Sequence, residues 1–449
     1  MNLPAAAPPR RSAAVRLSFM MFLQYAVWGV WLPILGNYLG STTDAGGLGF
    51  SQGQIGWILG LAGAIGAVAS PFIAGQIADR ILNAERALAL LLLAGGVVKY
   101  ITAYQTGYFS WMALSILYSV LYMPTLALTN SVAFANLNDP EKKFPPVRAV
   151  GTVGWIVASI AFPFIWMKTG VAVDFSAGWP FLRGDEHPDS TARIADALRV
   201  SGVVSVGYAA YCLLALPKTP PKGDAAEPLA FAEAFGLFRR PDFAVLTVSA
   251  LFISMIHNCY FIRTGLYLQE AIGTGASDVG PIMAIGQISE IVVLAVLGLF
   301  LKNLGYKLVI TLGTLSYAIR YAIFAVEPGV GAVQAAMLLH GLNYGFFFAG
   351  SFLFLEKIAP ADIRHSAQAV FGLIILGVGP VLSGFYNQYF DRFKVPALDE
   401  AGLTVFDEAG KQVMQQQYHQ FWWAQSAVAA GVLLLLLVAF RGRVKIADD

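Results

Sequence analysis

Long apolar stretches, interrupted by short polar segments, run along the whole chain. A helix needs roughly 20 apolar residues in a row to cross the hydrocarbon core of a bilayer, and stretches of that length recur from end to end. The pattern therefore predicts an all-α polytopic membrane protein with twelve transmembrane helices. Their approximate positions are 17–40, 54–78, 86–106, 110–136, 146–168, 198–216, 243–269, 279–301, 306–326, 330–355, 363–388 and 419–440.

A polar, proline-rich segment with the sequence PKTPPKGDAAEP divides these spans into two groups of six. We therefore expect an N-terminal six-helix bundle at 1–216, a cytoplasmic linker at 217–242 and a C-terminal six-helix bundle at 243–449. Loops on the cytoplasmic side of membrane proteins are rich in lysine and arginine, and here these residues are concentrated in the loops on the side of the N-terminus. Both termini are thus expected to be cytoplasmic, and the short termini without a targeting peptide fit a bacterial inner membrane.

The composition supports a chain whose main solvent is the lipid bilayer. Of the 449 residues, 57% are hydrophobic and 12% are charged, with a mean hydropathy of +0.64; a soluble domain has roughly twice that charged fraction. The net charge of only +2 argues against a nucleic-acid partner. The sequence shows no Ser/His/Asp constellation, metal-ligand cluster or phosphate-binding loop, so neither an enzyme, a cofactor nor a metal is expected. A channel is disfavoured because no filter motif is evident.

Charged side chains inside the predicted spans are the first candidates for function, because they are costly in lipid. Glu290 lies near the middle of the eighth span, with Gln287 on the same helix face at i and i+3. Desolvation favours the protonated form of a carboxyl group, so Glu290 is the candidate proton carrier. The alternative is a structural carboxylate paired with an arginine. Arg320 could be that partner, and Lys99 is expected to extend towards the outer interface.

Polar and aromatic stripes at helical spacing suggest a binding cavity between the two halves. A ring-bearing, hydroxylated neutral ligand suits aromatic faces combined with amides, a carboxylate and a guanidinium. Nucleosides and sugars both fit such a lining. For Arg148 the alternative is an interfacial position, and for Trp28 a packing role. The candidates are Gln24 and Trp28 in the first span, Arg148, Thr152 and Trp155 in the fifth, His257 and Tyr260 in the seventh, Gln287 and Glu290 in the eighth, and His340 and Tyr344 in the tenth.

The loop after the second span reads Gly75-Gln-Ile-Ala-Asp79-Arg80, and Arg86 follows it. This resembles the loop signature of the major facilitator superfamily, and residues 301–307 form a degenerate copy after the eighth span. A generic polar turn is the alternative. The superfamily is built from two six-helix halves, so the resemblance implies the major facilitator fold.

Several segments resemble the nucleoside–proton symporter family of that superfamily: FLQYAVWGVWL from Phe22, YMPTLALTN from Tyr122, FPPVRAVGTVG from Phe144, QISE from Gln287 and FLEKIAPADIRHSAQA from Phe354. The resemblance implies a nucleoside site that includes the candidates of the fifth, eighth and tenth spans. His257 and Tyr260 fall where family members have amides. His340 stands where a tyrosine is expected, and Gly345 where a bacterial member has an acidic residue.

The expected function is import of nucleosides, coupled to protons, by alternating access of residues 1–216 and 243–449. Glu290 and Gln287 are assigned to ribose hydroxyls, Arg148 and Thr152 to polar orientation, and Trp155 and Tyr344 to the base. A monomer is expected. The alternatives are a symporter of sugars or other small polar solutes, and a non-transporting ligand sensor on the same fold.

Overall fold

The computed structural model describes residues 10–73, 82–176, 178–220, 235–360, 364–396, 403–406, 412 and 414–443. These residues are mostly helical. In chain order the helices are α1 Arg10–Gly29, α2 Leu32–Gly40, α3 Gln52–Ile73, α4 Ala84–Thr102, α5 Tyr108–Asn136, α6 Pro140–Phe162, α7 Ser190–Ala215, α8 Pro241–Glu270, α9 Ala276–Ala325, α10 Val330–Met337, α11 Leu339–Leu342, α12 Gly350–Ile358, α13 Arg364–Leu373, α14 Gly379–Phe390 and α15 Tyr418–Ala439.

Two short antiparallel hairpins accompany the helices. Strand β1 (Lys168–Val173) pairs with β2 (Leu182–Glu186), and Lys168 lies opposite Glu186. Strand β3 (Lys394–Pro396) pairs with β4 (Met414–Gln416). Both hairpins lie in the two long segments that the sequence places between apolar spans.

Ten helices in the described part of the chain are long and apolar enough to cross a membrane. One of them, α9, has 50 residues and is broken at Gly305, whose φ of 73° is accessible to glycine at little cost. Counting its two limbs separately, and adding α4 with its charged Glu85, Arg86 and Lys99, gives twelve long helical segments. The predicted spans 279–301 and 306–326 correspond to the two limbs of α9.

Some boundaries differ from the sequence prediction for identifiable reasons. Helix α6 begins at Pro140, earlier than the predicted 146, and it continues through Pro145 and Pro146, which lie inside the helix. Helix α7 begins at Ser190, so its first turns are more polar than a hydropathy pattern selects. Three helices contain a wider π-helical segment, at Pro163–Met167, Asn343–Ala349 and Ile374–Val378.

Glycines let neighbouring membrane helices approach closely. A Cβ atom on Gly29 of α1 would lie 2.5 Å from the carbonyl oxygen of Trp155 on α6, and one on Gly154 would lie 2.2 Å from that of Phe22. Helices α4 and α7 meet in the same way, through Gly96 and Gly202. The α1–α6 crossing holds two of the predicted candidate stripes next to each other.

Among the described residues, polar contacts between the N-terminal half (helices α1–α7 with β1 and β2) and the C-terminal half (helices α8–α15) cluster at one end of the molecule. This end carries residues 40–52, 168–189 and 270–276 and is called the sealed end below. Asn37 donates a hydrogen bond to Gln269 at 2.5 Å, Trp57 donates to Gln388 at 3.0 Å, and the ammonium of Lys168 lies 3.0 Å from the Asp278 carboxylate. The two groups of helices are therefore fastened together on one side of the membrane.

Candidate functional site

Glu290 lies on the N-terminal limb of α9 and is 9% exposed. Its carboxylate is 3.9 Å from Nε2 of His340, and the amide nitrogen of Gln287 is 3.1 Å from the same atom. The approach depends on a glycine, because a Cβ on Gly286 would lie 2.9 Å from that of His340. The structure thus brings together three predicted candidates from the eighth and tenth spans.

Arg320 does not form an ion pair with Glu290, contrary to the pairing considered from the sequence. Its guanidinium bonds Nδ1 of His340 at 2.9 Å, so the imidazole ring lies between the two charged groups. The guanidinium carbon is also 4.3 Å from the ring centroid of Tyr260. Sequence spacing could not reveal this arrangement, because the three groups come from three different helical segments.

The two candidates of α8 lie behind His340. The imidazole rings of His257 and His340 are 5.4 Å apart and 25° from parallel, and Nδ1 of His257 is 2.7 Å from the hydroxyl of Tyr317. Tyr260 is 1% exposed and its hydroxyl donates to the sulfur of Met337 at 3.3 Å. In this conformation His257 and Tyr260 support the His340 ring.

The N-terminal helices supply Arg148, whose guanidinium carbon lies 4.1 Å from the ring centroid of Tyr25. Gly151 makes room for this stack, since a Cβ there would be 2.5 Å from the Tyr25 ring. Arg148 also interacts electrostatically with Glu290 across the two halves. Tyr25 was missed from the sequence, although it adjoins Gln24, because its partner is on α6.

Thr152 and Trp155 follow Arg148 along α6. Thr152 is half-buried, whereas Trp155 is 6% exposed and packs against Gly29. Trp155 therefore lies at the α1–α6 crossing, where its backbone and ring approach Gly29.

Gln24 is fully buried and connects α1 with α5. Its amide nitrogen donates to Thr125 at 2.7 Å, and the Tyr122 hydroxyl donates to its backbone carbonyl at 2.5 Å. The ring of Trp28 meets that of Tyr122 edge-on, at 6.1 Å. Gln24 thus has a packing role here, while Trp28 is partly exposed.

Tyr344 lies in the wide segment Asn343–Ala349 and is 36% exposed. It interacts electrostatically with Glu290 and with Arg148, which places it near charged groups of both halves. Among the predicted aromatic candidates it has the largest exposed fraction.

The other intramembrane cations are structural. Lys99 does not extend to the interface as expected: it is 4% exposed, and its ammonium lies 3.6 Å from the ring centroids of both Trp31 and Tyr118. Two aromatic faces attract the cation in place of water. Arg263 is fully buried and bonds the side chain and backbone of Asn387 at 2.7 and 3.0 Å.

Most of the loop motif after the second span lies outside the described residues. Gly75, Asp79 and Arg80 lie outside the described residues, and Arg86 is exposed in the first turn of α4. Within the described ranges, no group of three or more His, Cys, Asp or Glu residues is placed to hold a metal ion.

The chain is similar to known proteins over most of its length. A family model described as nucleoside H+ symporter matches residues 11–445. The putative nucleoside transporter YegT of Escherichia coli (strain K12) is 33% identical over 375 residues, 82% of this chain and 82% of the relative. The xanthosine permease of the same strain is 29% identical over 402 residues, 84% of this chain and 89% of the relative.

A solved structure shows the same fold. The crystal structure of nucleoside transporter NupG has a TM-score of 0.76 and 22% identity, covering 96% of this chain and 100% of that chain. The predicted all-α polytopic fold of the major facilitator type is confirmed by this likeness.

Proposed function

The chain belongs to the nucleoside H+ symporter family, and from that premise we propose that it imports nucleosides together with protons through a site formed around Glu290. As a member of this family it is a multi-pass membrane transporter and not an enzyme. The proposal concerns which groups bind the substrate and which group carries the proton.

The observation that carries the proposal is that Arg148 and Glu290 belong to opposite halves and lie close enough to interact electrostatically, without forming an ion pair. Arg148 rests on Tyr25 and interacts with the buried Glu290 carboxylate across the interface. A transporter needs a site with groups from both halves, so that substrate binding is linked to their relative movement. A guanidinium on one side and a carboxylate on the other meet that requirement.

We assign the ribose to Glu290 and Gln287. Vicinal hydroxyl groups donate well to a carboxylate, and charge-assisted hydrogen bonds of this kind are stronger than neutral ones. The amide of Gln287 lies one helical turn away and shares His340 as a neighbour. A ligand with hydroxyls at one end can therefore be held by α9.

We assign the base to the aromatic and cationic groups. Tyr344 offers an exposed ring near both Glu290 and Arg148, and Trp155 lies about two turns after Arg148 on α6. Arg148 and Thr152 orient polar groups of the ligand from the same helix. Flat heterocycles stack on such rings, whereas acceptor atoms at the edge of the heterocycle accept hydrogen bonds from the guanidinium.

Glu290 is also the proposed proton carrier. It is a carboxylate in the middle of a membrane span, where ionisable groups mark proton pathways. Its neighbours change when the halves move, because Arg148 belongs to the other half. Release of Arg148 would favour proton uptake by the carboxylate, and its return would favour proton release.

The cycle we propose rocks residues 1–216 against 243–449 around this site. The sealed end is assigned to the outer face and both termini to the cytoplasm, so we assign the described conformation to a state that is closed at the outer face. The lysines and arginines near the N-terminus support this orientation. We propose that the protein acts as a monomer in the inner membrane.

Uptake into proteoliposomes tests the proposal. Radiolabelled uridine and adenosine should accumulate when an inward proton gradient is imposed and only equilibrate when it is absent. Excess unlabelled nucleoside should compete, and excess hexose should not. Competition by hexose alone would overturn the nucleoside assignment, and ligand binding without counterflow would indicate a sensor.

A further inference from the structure

Arg320 is a buried cation without an ordinary partner. It lies on the C-terminal limb of α9 and is fully buried. Among the described residues no carboxylate forms an ion pair with it, so its hydrogen bonds go to neutral groups. It donates through Nη1 to His340 and through Nη2 to the hydroxyl of Tyr321 at 3.1 Å. Burial of a charge without a partner of opposite charge costs free energy, because the charge loses its hydration.

The contact with His340 fixes the position of the imidazole proton. A guanidinium has only donors, so Nδ1 of His340 must accept the hydrogen bond at 2.9 Å. A neutral imidazole then carries its proton on Nε2. A second proton, on Nδ1, would remove the acceptor and bring two positive charges together. The geometry therefore holds His340 in one neutral form.

The remaining ring nitrogen points at the proposed site. Nε2 of His340 is 3.1 Å from the Gln287 amide and 3.9 Å from the Glu290 carboxylate. The nitrogen and oxygen of the Gln287 amide can be exchanged without moving any heavy-atom position. After this exchange the amide oxygen faces His340 and accepts the hydrogen bond from its Nε2–H. His340 thus donates a hydrogen bond to Gln287, and the Glu290 carboxylate lies close to the same N–H without bonding to it.

The ring has little freedom to turn away. His257 stacks on one face, and Tyr260 lies 5.3 Å from the His340 ring centroid. Gly286 packs against its Cβ. The ionisable groups facing His340 are Glu290 and Arg320 of α9, together with His257 and Tyr260 of α8.

We infer that Arg320 is a positioning residue for transport: it holds His340 as a neutral Nε2–H donor that orients Gln287 beside Glu290, and so excludes His340 as the proton carrier. The transport part of this inference rests on the proposed function, whereas the protonation form of His340 does not.

Nitrogen NMR of protein labelled with ¹⁵N-histidine tests the protonation form directly. The His340 signals are identified by their loss in His340→Gln. We expect an unprotonated Nδ1 and a protonated Nε2 that persist between about pH 8 and about pH 5, the range in which histidine ordinarily titrates. In Arg320→Gln, whose amide can donate or accept, mixed tautomers or an imidazolium should appear at the acid end.

The controls separate positioning from folding. Arg320→Lys keeps a cationic donor and should keep the wild-type His340 signals. Arg263→Gln removes the other buried guanidinium of the same half, which bonds Asn387, and should leave the His340 signals unchanged. An Nδ1–H tautomer or a full imidazolium in the wild type at the acid end would overturn the inference, whatever the transport assays give.

Transport kinetics test the consequence for the site. Arg320→Gln should raise the nucleoside KM roughly fivefold, the effect of one lost hydrogen bond, with a smaller change in the maximal rate. Arg320→Lys should restore most of the affinity. His340→Gln should also raise the nucleoside KM, because it removes the oriented donor, while uptake should still be driven by the proton gradient. Loss of coupling in His340→Gln, with nucleoside exchange intact, would show that His340 carries the proton and contradict the inference without affecting the nucleoside assignment.

Discussion

The ammonium group of Lys168 lies 3.0 Å from the Asp278 carboxylate, and this ion pair joins the two halves at the sealed end. Lys168 begins β1 of the N-terminal half, and Asp278 lies in the first turn of α9. The same hairpin contributes Glu186, whose carboxylate accepts from the backbone of Ser277 at 3.1 Å. The hairpin therefore caps the start of the helix that carries Glu290, and opening this end requires these contacts to break.

Lys168→Met should shift the protein towards the outward-facing state. The lysine side chain is only 6% exposed, so we expect an effect of about 1 kcal/mol or more, roughly a fivefold change in the ratio of states. Spin labels at the exposed positions Asp44 and Val330 should report a longer distance component. Lys142→Met is the control, because its pair with Asp139 is exposed and lies within one half. An unchanged distance distribution in Lys168→Met would remove the latch role.

Glu290→Gln should abolish proton-driven accumulation of nucleosides while it preserves exchange. Glutamine keeps an oxygen for the hydroxyl groups, but it cannot take up or release a proton. Counterflow without a gradient should therefore continue, at a reduced affinity. Glu270→Gln is the matched control, since that carboxylate bonds Tyr418 at 2.8 Å near the sealed end. Retention of uphill uptake in Glu290→Gln would remove Glu290 as the carrier.

Arg148→Gln should raise the nucleoside KM by about tenfold or more, because a hydrogen bond from a charged donor contributes about 1.5–3 kcal/mol. The KM of Arg148→Lys should lie between those of the wild type and of Arg148→Gln, since lysine keeps the charge and loses the planar stack on Tyr25. The same two substitutions at Arg199 are the matched controls. The guanidinium carbon of Arg199 also lies over a tyrosine ring, 4.5 Å from the ring centroid of Tyr104, and its guanidinium bonds Asp196 away from the site. If Arg148 only served as an interfacial anchor, the KM values of Arg148→Gln and Arg148→Lys would both stay at the wild-type level.

The fold could be predicted from the sequence because each span carries its own signal. Apolar length identifies a helix without knowledge of its neighbours, and Gly305 separates the two limbs of α9 where the prediction divides them. Lys99 shows the limit of that reasoning. A lysine near the end of a span is expected to reach water, and only the packing of three helices reveals that Trp31 and Tyr118 enclose it.

Helical spacing predicts which candidate residues share a face of one helix, but not how candidates on different helices contact one another. Helical spacing placed Gln287 with Glu290, and Arg148 with Thr152, because both pairs lie on single helices. It could not show that His340 separates Arg320 from Glu290. It also missed Tyr25, whose contact with Arg148 depends on the crossing of α1 and α6. Contacts between helices depend on their relative rotation, which spacing along one helix leaves open.

The crossing of α1 and α6 depends on Gly29, and this gives a prediction about the architecture beneath the site. A Cβ at this position would lie 2.5 Å from the carbonyl oxygen and 2.7 Å from the Cα of Trp155. These are backbone atoms, so the clash cannot be relieved by a rotamer change and the helices must separate. Overpacking of this kind costs about 1–3 kcal/mol.

Gly29→Ala should therefore lower the thermal unfolding midpoint of the purified protein and also raise the nucleoside KM, because Trp155 and Arg148 move with α6. Gly63→Ala is the matched control: it lies on α3 in the same half, and a Cβ there meets nothing within 4 Å. The control should keep both the midpoint and the affinity. If Gly29→Ala lowered the unfolding midpoint and left the nucleoside KM unchanged, the separation of α1 and α6 would not affect substrate binding. The proposed binding roles of Trp155 and Arg148 would then lose their structural basis.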